Sequence, residues 1–458
     1  MSQPNDPRLN ALASAPVNKL IWKFAIPGII SSVVNSFHNI VDQVFVGWAV
    51  GDFGIAATNI AFPLATIITA VSALFGMGGA AKFNLAMGEK DTETAKKTMG
   101  NSLMLVTAAG LLMAILGLIF LEPMLYLFGA TDAILPYAKP YAAVIVSGLP
   151  FGMFATTASY FIRSDGNPNF ASITLLSGAV FNMIFDPILL ILLNKSIAAV
   201  ALATVLGQVL SFSLALYYFI RKFNAFKIEK RIFAPAGSAI KNICALGSAI
   251  FCNHILMTTA NIIQMNSLKF YGASSIYGSE VTIAAAGASG KVVIVLMSCV
   301  IGIALGCQPI LGFNYGSKNY ARVKQTYFLA IRYATTIAVI AFLLIQLFPR
   351  TIMSIFGSED PLFYEFTIRY IRIYLFMTFI NALLPVTSTF FTSIGKAKLS
   401  LWMSLLRQGL FLIPLTLILP LVLELDGVLW AGFVSDALAA MVVIIFARRE
   451  LKKMPSGV

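Results

Sequence analysis

"FGMGGAAKFNLAMGEKDTETAKK" (residues 75–97) and "IGIALGCQPILGFNYGSKNYARVK" (residues 301–324) read as one passage written twice. Gly78 falls on Gly306, Gly88 on Gly316 and Lys90 on Lys318, each pair 228 residues apart. The same offset carries Leu127-Phe128-Gly129 onto Ile355-Phe356-Gly357 and Asp132 onto Asp360. Shifted by one residue, Gly166 meets Gly395 and Pro187 meets Pro414. Landmarks repeating at half the length of a 458-residue chain imply two similar halves.

Composition says which solvent the halves occupy. Apolar residues make up 59% of the chain and charged residues 11%, with a mean hydropathy of +0.86. A soluble domain carries roughly 25% charged residues, so this chain has too few polar groups to cover itself in water. Its solvent must largely be lipid. Twelve apolar runs are long enough for membrane helices of about 20 residues or more. They lie near 18–44, 52–81, 98–121, 134–162, 168–193, 197–220, 241–268, 281–311, 325–348, 363–393, 399–422 and 428–447. None alternates as a barrel strand would.

The expectation is therefore an all-α membrane protein of twelve transmembrane helices in two pseudo-symmetric six-helix lobes. Residues 1–222 form the first lobe, 223–240 a basic cytoplasmic linker, and 241–458 the second lobe with a basic tail. Six helices per lobe give both the same orientation, a parallel repeat about an axis along the membrane normal. Transporters with alternating access are often built this way, with a site where the repeats meet.

The formal charge of +13 reports topology rather than nucleic acid. The N-terminus and alternate connections carry Arg8, Lys19 and Lys23; Lys82, Lys90, Lys96 and Lys97; Arg163; Arg221, Lys222, Lys227, Lys230, Arg231 and Lys241. Lys318, Arg322, Lys324, Lys396, Lys398, Arg448, Arg449, Lys452 and Lys453 continue the set. The opposite connections hold only Lys139, Lys195, Lys269 and Arg350. By the positive-inside rule both termini face the cytoplasm. No cleavable signal peptide is evident. Cys244, Cys252, Cys299 and Cys307 all fall in apolar runs without a CxxC pair, which argues against a disulfide framework or zinc site. "GMGGAAK" lacks phosphate-loop spacing and lies in a span, where its glycines suit close helix approach.

The chemistry should lie where acids enter the bilayer. An Asp at a helix centre costs about 2.5–3.5 kcal/mol on insertion scales, and the candidates are Asp42, Asp186 and Asp436. Asn35, Asn39 and Asp42, in "NSFHNIVDQVFVGWAVG" (35–51), share one helix face that must turn from lipid. His38 lies off that line and reads as packing. In the fifth span Asn182 and Asp186 are four apart, followed by Pro187; in the sixth Thr204 and Gln208 are four apart. If these faces converge, two carboxylates that cannot both stay ionised cheaply would hold a proton or gather a hard cation through oxygen ligands. The second lobe breaks this symmetry. The place of Asp42 falls near Gln264, and Asn381, Arg407 and Asp436 form no acid pair. Lys291 and Arg407 are the intramembrane cations available to Asp436, and the sequence does not choose between them.

Twelve helices in two halves, with "NIVDQVFVGWAVG", "YFIRSDGNP", "FNMIFDPILL" and "GCQPILGFNYGSKNYARVK" in this order, resemble the multidrug and toxic compound extrusion (MATE) family. Asp42, Asn182, Asp186 and Thr204, with Asn39, are similar to the amino-lobe cation site of its DinF-like prokaryotic branch. The resemblance implies a V-shaped pair of lobes that open alternately and expel amphipathic, often cationic compounds in exchange for H⁺ or Na⁺. It implies no cofactor and no catalytic residue, a monomer in the cell inner (plasma) membrane, and a candidate Na⁺ ligand set at Asp42, Asn182, Asp186 and Thr204. Asn35, Phe37, Phe154, Met257, Gln264 and Met265 are the candidate substrate contacts. The rival readings are a lipid-linked oligosaccharide flippase of the same superfamily, which would need a cationic cavity, a membrane-embedded enzyme, and an ion channel. With only His38 and His254 and no HExxH, the enzyme reading lacks a catalytic constellation.

Overall fold

Lipid allows a backbone only helices or closed barrels in which to satisfy its N–H and C=O groups, and this chain takes the first course throughout its described residues. The computed structural model describes residues 7–192, 196–354 and 360–455, apart from the side chains at 7–10, 39, 40, 49 and 52. The first half holds α1 (Pro7–Ser14), α2 (Val17–Val50), α3 (Asp52–Gly88), α4 (Thr92–Ile119), α5 (Leu121–Leu127), α6 (Leu135–Ser164), α7 (Pro168–Leu192) and α8 (Ile197–Arg221). The second holds α9 (Gly237–Ala273), α10 (Gly278–Gly316), α11 (Tyr320–Leu347), α12 (Pro349–Met353), α13 (Pro361–Tyr374), α14 (Leu383–Ser393), α15 (Ala397–Leu405), α16 (Ile413–Ile418) and α17 (Pro420–Lys453). Twelve stretches among them are long and apolar enough to cross a membrane.

The repeat is visible in the backbone. Lys90 and Lys318 are both non-glycine residues in the left-handed region, at φ 62° and 60°, and Gly166 and Gly395 match at 82° and 78°. After each lysine the chain caps its next helix in the same way. Asp91 accepts a bond from the Thr94 backbone N–H at 3.0 Å, and Asn319 accepts one from the Arg322 N–H at 3.3 Å. Such caps satisfy N–H groups that a helix start leaves orphaned. The partner of Leu127-Phe128-Gly129 at 355–357 lies outside the described residues, as does Lys195.

Two expected spans are not continuous helices. The tenth breaks between α13 and α14 through a 3₁₀ turn at Phe376–Phe379. Pro385 has no N–H to give the carbonyl four residues back, and the break is bridged by short-range bonds such as Asn381 N–H to Thr378 O at 3.2 Å. The eleventh opens into a π-helical stretch, Leu406–Leu412, just ahead of Pro414. The second lobe thus carries more irregular backbone at membrane depth than the first. Such backbone survives in lipid only where protein or a cavity covers it.

The halves meet along glycines. On α9, Gly247 lies so close to α3 that a Cβ there would collide with the Leu74 carbonyl, and Gly316 on α10 stands in the same relation to Leu85 on α3. Small residues are what allow helix backbones to approach this closely in a membrane. Polar contacts reinforce the seam: Gln308 donates from Nε2 to Met77 O at 3.0 Å, and the Ser36 and Ser298 hydroxyls lie 3.0 Å apart. Arg322 Nη2 donates to Leu12 O at 3.1 Å and Ala15 O at 2.8 Å, fastening α1 and the start of α2 to the second half. The 223–240 linker is itself docked on the first half. Asn101 holds both Ala234 O, at 3.1 Å, and Ala236 N–H, at 2.9 Å. Asp165 accepts from the Tyr218 hydroxyl at 2.6 Å and from Ala225 N–H at 2.9 Å.

Candidate functional site

A second glycine contact builds the polar cluster of the first lobe. A Cβ on Gly178 would lie 2.7 Å from Gly207 O, and one on Gly207 2.5 Å from Gly178 O, so α7 and α8 touch backbone to backbone. One turn further on, Asn182 of α7 therefore faces Thr204 of α8. Asn182 Nδ2 donates to Thr204 Oγ1 at 3.0 Å and to Asp186 Oδ1 at 3.0 Å. Asn182 and Asp186 are 1% and 0% exposed, so lipid and water are both excluded from their side chains within the protein.

Asp42 arrives from α2, and its carboxyl lies within hydrogen-bonding reach of the Asp186 carboxyl. Tyr141 of α6, itself buried, stands close enough to interact electrostatically with both. Asp42 Oδ1 and Asp186 Oδ2 are buried and receive no hydrogen bond. Two carboxylates have no hydrogen to share, so their contact is incomplete until a proton or a cation joins it. Four residues singled out in the sequence, Asp42, Asn182, Asp186 and Thr204, are thus brought into one cluster. The side chain of Asn39 lies outside the described residues.

His38 is the residue that the helical line left out. Its Nε2 stands 2.6 Å from Asn182 Oδ1. The signal was present: His38 lies one turn before Asp42, an i,i+4 relation that puts both on one side of α2. Gln208, paired with Thr204 by spacing, packs instead against Gly148 and Gly152 of α6.

The corresponding region of the second lobe is closed on itself. Gln264, 7% exposed, donates from Nε2 to the Tyr370 hydroxyl at 2.9 Å, and Tyr370 stacks on Tyr374 at 4.8 Å between ring centres. Asp436 takes Arg407 as its partner, Nε to Oδ1 at 2.5 Å, and Asn381 Nδ2 donates to Oδ2 at 2.9 Å. Lys291 is exposed on α10. Both oxygens of this acid are therefore satisfied. The break before α14 supplies Asn381, and the π-helical stretch supplies Arg407.

The candidate substrate contacts are scattered. Asn35, Phe37 and Met257 are exposed on α2 and α9, with Phe37 and Met257 about half so. Phe154 packs edge-on to Phe212 at 4.9 Å, and Met265 is partly buried against the second lobe's core. The four cysteines are free thiols, with Cys307 buried. Among the described residues no group of three or more His, Cys, Asp or Glu side chains is placed to hold a metal ion.

A helical membrane protein with two repeated lobes and an incomplete carboxyl pair inside one of them has the construction of a transporter. The MatE family pattern matches residues 27–188 and 254–418, one segment in each half, and the chain belongs to that family of transporters. It is a transporter and not an enzyme. The chain is 23% identical over 449 residues to "Multidrug export protein MepA" of Staphylococcus aureus (strain MRSA252), covering 97% of both chains. Among solved structures it superposes on an outward-facing multidrug resistance MATE family transporter with a TM-score of 0.91, at 23% identity and 99% coverage of both chains. It also matches the MATE multidrug transporter DinF-BH, solved as a complex, with a TM-score of 0.88, at 31% identity and 98% coverage of both. The expected family and all-helical, twelve-span fold are borne out.

Proposed function

We propose that the protein is a proton-coupled multidrug efflux antiporter of the cell inner membrane, with both termini in the cytoplasm, exporting amphipathic and often cationic compounds. Relatives named for multidrug export support the substrate class. The lipid-flippase alternative draws no comparable support, since Arg407 is committed to Asp436 and builds no open cationic cavity. The observation that carries the reading is the Asp42–Asp186 pair, in which each acid has a buried oxygen that receives no hydrogen bond. Ionised, the pair attracts a cation, either a drug or the coupling ion. Protonated from outside, it no longer holds a cationic drug, and the drug leaves. The coupling is reciprocal, so drug binding weakens proton binding by the same factor.

With the termini cytoplasmic, the glycine seam closes the inner half of the protein, because Gly247, Gly316 and their partners on α3 all lie toward that side. The reading is then of an outward-open state that alternates by parting this seam. The protein works as a monomer, since each chain carries both lobes, and no cofactor enters the cycle. The test is transport of a fluorescent cation in proteoliposomes with pH and Na⁺ gradients imposed separately. A wild-type response to the pH gradient that Asp42→Asn abolishes supports the reading; wild-type transport by Asp42→Asn overturns it.

A further inference from the structure

We propose that His38 is a positioning residue that makes the first-lobe pocket selective for H⁺ over Na⁺, by turning the Asn182 carbonyl away from the carboxyl pair. The inference rests on the antiporter reading above and names what tunes its ion site.

Hydrogen-bond accounting around Asn182 leaves one consistent arrangement. Thr204 Oγ1 donates its hydrogen to Val200 O at 3.1 Å, one turn back on α8. Toward Asn182 it can therefore only accept, which places the amide NH₂ there. The second amide hydrogen goes to Asp186 Oδ1, which has none to give as a carboxylate. The amide oxygen is then the atom that faces α2, and His38 Nε2, 2.6 Å away, must be the donor to it. The hydrogens of His38 and of the Asn182 amide thus point along one chain: His38 to Asn182, and Asn182 to both Thr204 and Asp186.

The consequence falls on the cation. Na⁺ is a hard ion that needs a shell of several oxygens, of which a carboxamide carbonyl is a usual member. Here the Asn182 carbonyl is occupied by a hydrogen from His38, and the Asn182 face turned toward the acids carries N–H groups that repel a metal ion. Asp42 Oδ1 and Asp186 Oδ2 are buried oxygens that receive no hydrogen bond. The carboxyl pair suffices for a proton, while a sodium shell is denied the Asn182 carbonyl as a ligand. The four residues that resemble a sodium ligand set thus do not fit sodium while His38 stands beside them. Removing the imidazole donor frees Asn182 to rotate its carbonyl toward the pair, and the set becomes oxygen-rich.

The experiment compares wild type, His38→Ala and His38→Gln. Detergent-solubilised protein is heated in NaCl or in choline chloride at equal ionic strength, and ethidium transport is followed in proteoliposomes under a pH or a Na⁺ gradient. Wild type should show no sodium-specific stabilisation and respond to the pH gradient. His38→Ala should gain sodium-specific stabilisation and Na⁺-driven transport, with apparent Na⁺ affinity rising by about tenfold or more, the equivalent of one good ligand. His38→Gln, whose amide N–H₂ can replace the donor, should restore the wild-type pattern. A sodium response in wild type, or none in His38→Ala, overturns the proposal. If His38→Ala does not fold, His38→Gln and wild type decide it by the same sodium comparison, because loss of proton selectivity in the glutamine variant equally overturns it. Failure of the antiporter reading is distinguishable, since it shows as wild-type transport by Asp42→Asn.

Discussion

The two lobes share one backbone plan and put opposite chemistry into it. In the first, Asp42 and Asp186 face each other with an oxygen apiece left unbonded. In the second, the buried Asp436 is filled by Arg407 on one oxygen and Asn381 on the other, while Gln264 is tied to Tyr370. A site that exchanges guests must be left incomplete; a site that holds a lobe together must be complete. On the proposed antiporter reading, the two equivalent places serve different tasks.

The sharpest way to break that comparison is to neutralise each place in turn. Asp42→Asn should lower ΔpH-driven transport to the level of protein-free vesicles while leaving the thermal unfolding midpoint close to wild type, because it removes an acid that no donor supports. Gln264→Ala should do the reverse, with transport retained and the midpoint lowered. Equal loss of transport in the two variants would mean that coupling is shared between the lobes.

Stability separates the lobes next. Asp436→Asn leaves a largely buried guanidinium beside a neutral amide, and breaking a buried pair this way costs about 3–5 kcal/mol. The double variant Arg407→Met, Asp436→Leu should recover most of that loss, since apolar replacement of a buried ion pair is often close to neutral. Thermal unfolding in one detergent checks both. A double variant as unstable as the single would show that the pair also organises the break before α14.

A smaller effect belongs to the seam between the lobes. Gly247→Ala places a methyl group against Leu74 O, and overpacking of this kind costs about 1–3 kcal/mol. Gly287→Ala on α10 meets nothing within 4 Å and serves as the control. Because the strain falls only where the lobes touch, Gly247→Ala should also raise labelling of a cysteine placed at the seam. Instability without increased labelling would mean that the seam yields by local repacking and does not part.

How much of this the sequence disclosed follows from what sets each feature. Hydropathy fixed the number of spans, and the paired glycines fixed the repeat, because lipid and close backbone contact impose requirements that one residue can report. Asn182 and Asp186 were legible through their i,i+4 spacing and Asp42 as an acid on a polar helix face, whereas the spacing that singled out Thr204 pointed to Gln208, which packs against α6. His38 carried the same kind of signal, one turn before Asp42, but its contact with Asn182 depends on which side of α2 meets α7, a tertiary fact. The broken tenth span was hidden for a similar reason. Pro385 and Pro414 announce weak points, but whether a helix kinks, breaks or widens is settled by partners such as Asp436 that lie far along the chain.

The finest distinction between the lobes lies in their caps. Asp91 and Asn319 occupy equivalent positions and accept equivalent bonds, but only one of them titrates. The Thr94 side chain, then the Thr94 backbone N–H, hold the Asp91 carboxyl below the usual carboxylate range. A group lowered in the folded state contributes stability above its unfolded value, near ~4, and loses it as pH falls through the folded value. Replacing either cap by alanine should cost about 1 kcal/mol at neutral pH, and less for Asp91 than a buried carboxylate would, because it is exposed and screened. Below the carboxylate range the Asp91→Ala penalty should shrink while the Asn319→Ala penalty stays. Hydrogen exchange at the first turns of α4 and α11, followed from neutral to acid pH, reads the difference directly, and parallel behaviour of the two turns would show that the Asp91 charge adds nothing to the cap.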